Sequence, residues 1–280
     1  MIQTATQLKD KIKNLSGGNG TKAQLLLRNY MMERFLARIA LSKYKDNFIL
    51  KGGMLVAALV GSQARATMDI DTTIRSITLN ATEIEKIVED IATIDAGDGV
   101  TFEIKKISDI MEEHDYPGIR IAMDAYLQNL KQAIKIDIST GDEITPAAIR
   151  YTYKLMFEQG NIAIWTYNLE TLMAEKLETI IARGVANTRM RDFYDVHTIW
   201  REQEEFINKG VLKEAFHNTS KKRETEHLIP LADDIIKEVE LNENIQRNWV
   251  NFCTESVYVG ELVWQEVIVT VKSVLELILK

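Results

Sequence analysis

Apolar residues recur along the chain at two different spacings, which predict helices in some segments and strands in others. The segment "AQLLLRNYMMERFLARIALSK" (23–43) has the helical spacing, with Arg28, Arg34 and Arg38 between its apolar positions, and predicts an amphipathic helix. The segment "NFILKGG" (47–53) predicts a short buried strand that ends at two glycines, and "MLVAALV" after it predicts an apolar helix. Upstream, "NLSGGNGTKAQ" (14–24) predicts a flexible break.

Three later segments predict strands: "VTFEIKKI" (100–107), "GIRIAMDAYL" (118–127) and "QAIKIDIST" (132–140). The last two are expected to form a hairpin, so the sheet should be mixed or antiparallel. After "TPAAIRYTYKLMFEQG" (145–160) the strand signal nearly stops, and helical spacing predominates to Lys280. The pattern therefore predicts an α+β chain, with a mixed-sheet domain over residues 1–165 and a helical domain over 166–280.

Composition narrows the class of protein. The chain has 280 residues, 46% of them hydrophobic and 27% charged, as in ordinary globular proteins. A single cysteine, Cys253, excludes an intrachain disulfide, and "MIQTATQLKDKIKN" lacks the apolar core of a signal peptide, so we expect a cytoplasmic protein. Charged residues interrupt the apolar C-terminal segment, so no membrane span is expected.

Charge and histidine content restrict the possible ligands. The net charge of −7 argues against non-specific coating of nucleic acid, which depends on Lys and Arg contacts to phosphates, but it leaves room for a local basic site. The four histidines form no close pair, and there is no cysteine pair, so the sequence offers no zinc site. Any metal is expected to be held by oxygen ligands.

Asp69 and Asp71 stand two positions apart in "RATMDIDTT" (65–73), whose pattern predicts a strand. Residues two apart in a strand project from the same face, so the two carboxylates should lie a few ångströms apart. A divalent cation is the simplest way to offset their repulsion. Two surface aspartates are the alternative, but aspartate is depleted in strands and a close pair is doubly unfavourable.

Asp137 lies in "IKIDIST" (134–140), on the opposite face from the three isoleucines of that segment. On an adjacent strand it would join Asp69 and Asp71 in an oxygen-only site. Such a site suits Mg²⁺, which takes its remaining ligands from water and substrate phosphates. Two ions there would stabilise the attacking and leaving oxygens of an in-line displacement at phosphorus. Alone, Asp137 fits a polar surface position equally well.

Lys176 falls inside the apolar stripe of "NLETLMAEKLETIIARG" (168–184), where its ammonium must meet a partner or a cavity. A substrate phosphate would serve, and Arg183 follows on the same face; alternatively, the ammonium reaches water while the stem packs on the core. On the next predicted helix, Asp192 lies within the apolar arc and Asp195 at its margin, so Asp192 is the better candidate. A position in the first turn, where the helix dipole favours an acid, explains Asp192 equally well.

Gly52 and Gly53 allow close backbone approach and place amides at a helix N-terminus, a setting suited to phosphate. A Gly-Gly turn alone is a weak signal. The sequence has no G-x-x-x-x-G-K-[ST] loop, and "VGSQA" lacks the second glycine of a serine-hydrolase elbow.

Six segments, in this order, resemble the AbiEii/AbiGii family of nucleotidyltransferase toxins: "FILKGG", "RATMDID", "YPGIRIAM", "IKIDISTGD", "AEKLETIIARG" and "NTRMRDFYDV". The similarity covers roughly residues 21 to 200. The resemblance implies a DNA polymerase β-like nucleotidyltransferase fold and the toxin half of a type IV toxin–antitoxin or abortive phage infection system. It further implies a cognate antitoxin.

The resemblance also implies roles for individual residues. The Gly-Gly turn and the Asp-x-Asp strand would bind Mg²⁺ and the triphosphate: Gly52 and Gly53 match the turn, and Asp69 and Asp71 match the metal ligands. Arg65 and Thr67, just before the acids, are further nucleotide-binding candidates, as is Arg183. Asp137 corresponds to the later strand acid of the superfamily, and Lys176 and Asp192 match the lysine of "AEK" and the acid of "RDFYD".

The leading hypothesis is Mg²⁺-dependent transfer of a nucleoside monophosphate from an NTP to an acceptor hydroxyl, with RNA, in particular the tRNA 3′ end, as the preferred acceptor. Asp69 and Asp71 would hold the metal, Asp137 would hold metal or help deprotonate the acceptor, and Lys176 would neutralise charge on the leaving group. Two alternatives stay open: nucleotidylation of a protein or small molecule, and a nucleotide-binding regulator without turnover.

Overall fold

The structure is a computed structural model that describes residues 2–61, 67–111 and 117–280. Within these residues the α-helices are Ala5–Ser16 (α1), Gly20–Leu41 (α2), Gly52–Leu59 (α3), Ala81–Ala92 (α4), Leu169–Arg183 (α5), Met190–Gln203 (α6), Lys209–Lys222 (α7), Ala232–Leu241 (α8), Glu243–Glu255 (α9) and Trp264–Leu279 (α10). The strands are Phe48–Lys51 (β1), Ile70–Ile74 (β2), Val100–Met111 (β3), Pro117–Leu127 (β4), Leu130–Thr140 (β5), Ile149–Lys154 (β6) and Asn161–Thr166 (β7).

The chain divides into two compact units. The first consists of Met1–Asp142 and Ile149–Thr166 and contains the sheet with α1 to α4. The second consists of Glu143–Ala148 and Tyr167–Lys280 and contains α5 to α10. The predicted fold class, a mixed sheet with helices followed by a helical part, is confirmed.

The seven strands form one sheet in the order β3-β4-β5-β2-β1-β7-β6. β4 and β5 form the predicted antiparallel hairpin, whereas β2 pairs with β5, and β1 with β7, in parallel. The sheet is therefore mixed. The prediction that the strand signal nearly ends after residue 160 is wrong, because β7 follows and lies between β1 and β6. Six residues carry too short a pattern to separate such a strand from the helices after it.

The helix predicted over residues 23–43 is confirmed as α2, but its amphipathic character is not. Arg34 and Arg38 are 2% and 1% exposed, so the side chains expected to face solvent are buried. Each is compensated by ion pairs: Arg38 binds both oxygens of Asp98 at 2.9 and 2.8 Å, and Arg34 pairs with Glu33 and Glu158. Apolar spacing cannot reveal such pairs, since Asp98 and Glu158 come from other parts of the chain. The predicted break before α2 is confined to residues 17–19.

The strand, Gly-Gly turn and helix predicted over residues 47–60 are confirmed as β1 and α3. β1 is buried over its first three residues, and α3 packs against β1 and β2. This arrangement brings the start of α3 next to the strand that carries Asp71, because Lys51 at the end of β1 is opposite Asp71 in the antiparallel pair.

The second unit is helical throughout its longer segment. Asn168 caps α5 by accepting a hydrogen bond from the backbone N–H of Thr171 at 2.9 Å. α5 packs against α6 and α7, and α10 packs against the same two helices. In the described part of the chain, no helix combines the length and the apolar composition needed to cross a membrane.

Candidate functional site

Four charged residues lie in one row across neighbouring strands of the sheet. Lys51 on β1 is opposite Asp71 on β2, Asp71 is opposite Asp137 on β5, and Asp137 is opposite Arg120 on β4. Residues paired in this way project from the same face of a sheet, so the row places two acids between two cations. The predicted pairing of Asp137 with the Asp-x-Asp segment is confirmed by the parallel register of β2 and β5.

Asp69 completes the acidic cluster from the residue just before β2. Ligand oxygens of Asp69, Asp71 and Asp137 all lie within 4.8 Å of one another. Thr67 is buried, and its hydroxyl donates a hydrogen bond to the backbone oxygen of Asp69 at 3.1 Å. This bond holds the backbone of Asp69 at the entrance to β2.

The Gly-Gly turn packs directly on Asp71. Gly52 has φ +62°, and a Cβ atom at this position would overlap the Asp71 carboxylate. The backbone N–H of Gly53 donates to Oδ2 of Asp71 at 3.3 Å. Glycine is therefore required at position 52 by both backbone conformation and space, and the turn contacts the acid that the sequence assigned to metal binding.

The electrostatics of the cluster are unfavourable for a full set of charges. Burial, followed by the neighbouring charges of Asp69 and Asp137, raises the pKa of Asp71 from its usual 3.8 to about 7. Lys51 and the Gly53 amide act in the opposite direction. A carboxylate with a strongly raised pKa inside a cluster of acids is typical of a functional site.

Arg120 holds Asp137 in a bidentate ion pair. Its Nε donates to Oδ1 at 2.8 Å, and a terminal nitrogen donates to Oδ2 at 2.5 Å. This pair, with further attraction from Asp69 and Asp71, raises the pKa of the Arg120 guanidinium. The Arg120 side chain is 38% exposed, and that of Asp137 is 12% exposed.

Lys51 is held at the other end of the row by Asp142. Its Nζ lies 2.5 Å from Oδ2 of Asp142, and the hydroxyl of Ser139 donates to the same oxygen at 3.0 Å. The Asp142 side chain is 5% exposed. The pair therefore fixes a partly buried cation beside Asp71 and directly before the Gly-Gly turn.

The cluster fits a divalent metal ion. Its ligands are carboxylate oxygens, which Mg²⁺ prefers, and the close approach of three acids creates a charge that a cation would offset. One of the three carboxylates, that of Asp137, is engaged by Arg120 through both of its oxygens.

In the second unit, Lys176 on α5 lies between two aspartates of α6. Its Nζ is 2.9 Å from Oδ1 of Asp192 and 2.6 Å from Oδ2 of Asp195. The Asp195 side chain is fully buried, whereas that of Asp192 is 15% exposed. The ammonium, predicted to need a partner inside the apolar stripe, therefore has two.

Two further sequence candidates for nucleotide binding are Arg183 and Arg65. Arg183 is the last residue of α5, seven residues after Lys176, and is partly buried. Arg65 lies outside the described residues.

Four residues of the first unit's charged cluster, and one that contacts Lys176 in the second unit, were not among the sequence candidates: Lys51, Arg120, Ser139 and Asp142, and Asp195. Lys51 could have been noticed, since it directly precedes the Gly-Gly turn. Arg120 could not, because its partner depends on the register between β4 and β5. The apolar pattern places Asp195 at the margin of the arc on α6, which predicts partial exposure. In the structure α6 packs against α5, and the Asp195 side chain is fully buried and contacts Lys176.

Comparisons with known proteins identify one matching family. A sequence model described as "Nucleotidyl transferase AbiEii toxin, Type IV TA system" matches residues 34–269. No curated protein is significantly similar in sequence.

Two of the solved structures that match this chain share little sequence with it. JHP933 from Helicobacter pylori is 17% identical with a TM-score of 0.49, and the match covers 91% of each chain. An antigenic nucleotidyltransferase-like protein from Paracoccidioides brasiliensis is 14% identical with a TM-score of 0.39, and the match covers 74% of this chain and 93% of the other.

Proposed function

This chain belongs to the nucleotidyl transferase AbiEii toxin family of type IV toxin–antitoxin systems, and we propose that it transfers a nucleoside monophosphate from an NTP to an RNA acceptor. Membership makes it a nucleotidyltransferase and implies an NTP substrate and a cognate antitoxin. The Mg²⁺ requirement, the tRNA 3′ end as acceptor and a role in abortive phage infection are parts of the proposal.

One observation carries the proposal: three carboxylates from β2, the residue before it and β5 converge beside a glycine turn at the start of α3. Such a cluster is suited to phosphoryl transfer, because a cation held by the carboxylates can also bind the negatively charged triphosphate, which the carboxylates alone would repel. Bound Mg²⁺ would neutralise the α-phosphate and the departing pyrophosphate. Asp69 and Asp71 are its proposed ligands, with Asp137 as the third.

The proposed reaction is an in-line displacement. The acceptor hydroxyl oxygen attacks the α-phosphorus, the bond from this phosphorus to the β-phosphate oxygen breaks, and pyrophosphate leaves with the electron pair. The acceptor proton passes to a base or to solvent. Lys51 and the Gly52-Gly53 turn, which lie beside Asp71, are proposed to bind the phosphates. Thr67, whose hydroxyl donates to the backbone oxygen of Asp69, is proposed to support this site.

The second unit supplies the other proposed residues. We assign Lys176 to the charge that develops on the leaving group and Asp192 to orienting that lysine, which it contacts at 2.9 Å. Arg183 and Arg65 are proposed nucleotide-binding residues.

The test is a labelling experiment with total RNA, Mg²⁺ and, in turn, each NTP labelled at its α-phosphate. A labelled band of tRNA size on a denaturing gel is expected for wild-type protein and not for Asp69→Ala. Asp10→Ala, which removes an exposed aspartate of α1, is the matched control and should label RNA normally.

Other outcomes select the alternatives. A labelled product that resists ribonuclease but is destroyed by protease would replace RNA with a protein acceptor, which the net charge of −7 favours slightly. NTP binding without pyrophosphate release would overturn the proposed transfer reaction.

A further inference from the structure

Arg120 and Asp137 form an ion pair at the edge of the acidic cluster, and this pair differs from the buried bidentate pair of Arg38 and Asp98. Arg38 and Asp98 are both 1% exposed, and that guanidinium also donates to the backbone oxygens of Arg34 and Val100, so the pair is locked in the core. Arg120 is 38% exposed. Its side chain can leave Asp137 for solvent without creating a buried unpaired charge on the arginine.

The fork of Arg120 engages both oxygens of Asp137. A divalent ion that binds Asp137 must share these oxygens with the guanidinium and lie within a few ångströms of its positive charge. Two cations on one carboxylate repel each other strongly in a partly buried site. Occupation of Asp137 by a metal and by Arg120 is therefore competitive.

We propose that Arg120 is an exchangeable counter-cation of Asp137, which a divalent ion displaces and which then binds a phosphate of the nucleotide. The first half rests on the geometry of the ion pair. The second half rests on the proposed function, because a displaced guanidinium beside the cluster would lie where the triphosphate is proposed to bind. The planar guanidinium matches two phosphate oxygens as well as it matches a carboxylate.

The row of charged residues supports this exchange. Without an ion, three acids face each other, and Arg120 and Lys51 at the two ends reduce their repulsion. With an ion bound, the acids are neutralised from the centre, and the attraction between Asp137 and Arg120 decreases. Lys51 differs, because its partner Asp142 lies outside the acidic cluster and is also held by Ser139.

The experiment titrates metal-stripped protein with Mn²⁺ in the absence of nucleotide, by calorimetry or electron paramagnetic resonance. Arg120→Gln removes the competing charge and should bind Mn²⁺ about tenfold more tightly than wild type. Arg150→Gln is the matched control, because Arg150 pairs at 3.0 Å with Asp46 in the same unit and outside the row. This variant should bind Mn²⁺ as wild type does.

A second titration adds each NTP at saturating Mn²⁺. Arg120→Gln should bind the substrate NTP about tenfold more weakly than wild type, since one phosphate contact is lost. Arg120→Lys keeps the charge without the fork and should give intermediate values in both titrations. If thermal unfolding shows that Arg120→Gln does not fold, Arg120→Lys replaces it in both titrations.

Two results would overturn the exchange. Weaker Mn²⁺ binding by Arg120→Gln would mean that Arg120 only positions Asp137 as a ligand, and unchanged binding would mean that the two cations do not compete. Tighter Mn²⁺ binding with unchanged NTP affinity would refute the phosphate contact. The first titration contains no nucleotide, so a protein without transfer activity would contradict the proposed function and leave this result intact.

Discussion

Gly52 and Asp71 fit together so closely that no other residue type can replace the glycine without moving the carboxylate. A Cβ atom on Gly52 would overlap the Asp71 side chain, and Gly52 has φ +62°. The glycine turn therefore shapes the acidic cluster directly. Its role is steric, in addition to any contact with phosphate.

Gly52→Ala should destabilise the protein and impair metal binding. The left-handed backbone alone costs about 1–2 kcal/mol for a residue with a Cβ atom, and displacement of Asp71 adds to this cost. The matched control is Gly17→Ala, since Gly17 has φ +59° and open space around it. Denaturant unfolding and Mn²⁺ titration of both variants check the prediction. Equal losses of stability with unchanged Mn²⁺ affinity would contradict the steric role.

Asp71→Asn should stabilise the metal-free protein at pH 8. The folded-state pKa of Asp71 is raised from 3.8 to about 7, so the folded protein binds this proton more tightly than the unfolded chain does. The charged carboxylate therefore destabilises the fold above about pH 7. The difference between these two pKa values corresponds to about 4 kcal/mol, which is the largest gain in the free energy of unfolding expected for Asp71→Asn.

The pH dependence tests the sign of this effect. The advantage of Asp71→Asn should be complete above pH 7, decline as the pH falls from about 7 to about 4, and vanish below that range. Unfolding by urea in the presence of a chelator measures it. A variant less stable than wild type at pH 8 would show that the carboxylate is stabilised by its surroundings.

Added Mg²⁺ or Mn²⁺ should raise the melting temperature of chelator-treated wild-type protein. An ion at 100 times its dissociation constant stabilises the folded state by about 2.7 kcal/mol. Because metal binding requires ionised Asp71, the apparent affinity should fall about tenfold per pH unit below about pH 7. Asp69→Asn should abolish the shift in melting temperature, whereas Asp10→Asn should retain it. A metal-induced shift that persists in Asp69→Asn would place the ion elsewhere.

Asp195→Asn should destabilise the protein more than Asp192→Asn. Both acids contact Lys176, but Asp195 is fully buried, whereas Asp192 is 15% exposed. Loss of a buried ionic partner costs about 3–5 kcal/mol, whereas a partner near the surface is replaced by water at smaller cost. Chemical unfolding of the two variants compares their free energies of unfolding.

Asp192→Asn should also lose transfer activity while it remains folded, if Asp192 orients Lys176 for catalysis. The RNA-labelling experiment with NTP labelled at the α-phosphate measures this activity. A folded Asp192→Asn with wild-type activity would leave Lys176 with a structural role.

The predicted elements that agree with the structure are those with a strong local pattern. The helix at residues 23–43, the strand and Gly-Gly turn at 47–53, and the β4–β5 hairpin follow from spacing over many residues or from glycines at defined positions. β7 has only six residues, and the sequence did not distinguish it from the helical region after it. Arg34 and Arg38 show a second reason why a sequence pattern can mislead, because both are buried. A charged residue between apolar positions indicates a solvent-exposed face only when the fold offers it no ionic partner.

The sequence by itself determined that two acids stand two positions apart, that a third lies on a later strand, and that a lysine interrupts an apolar helical stripe. These features depend on the order of residues within one element, which fixes the face on which each side chain lies. The tertiary structure alone decided which residues oppose each other: Arg120 opposite Asp137, Lys51 opposite Asp71, and Asp195 against Lys176. Strand register and helix packing arise from contacts between distant segments, and electrostatic pairing acts over a few ångströms, so the balance of charges in the site exists only in the folded chain.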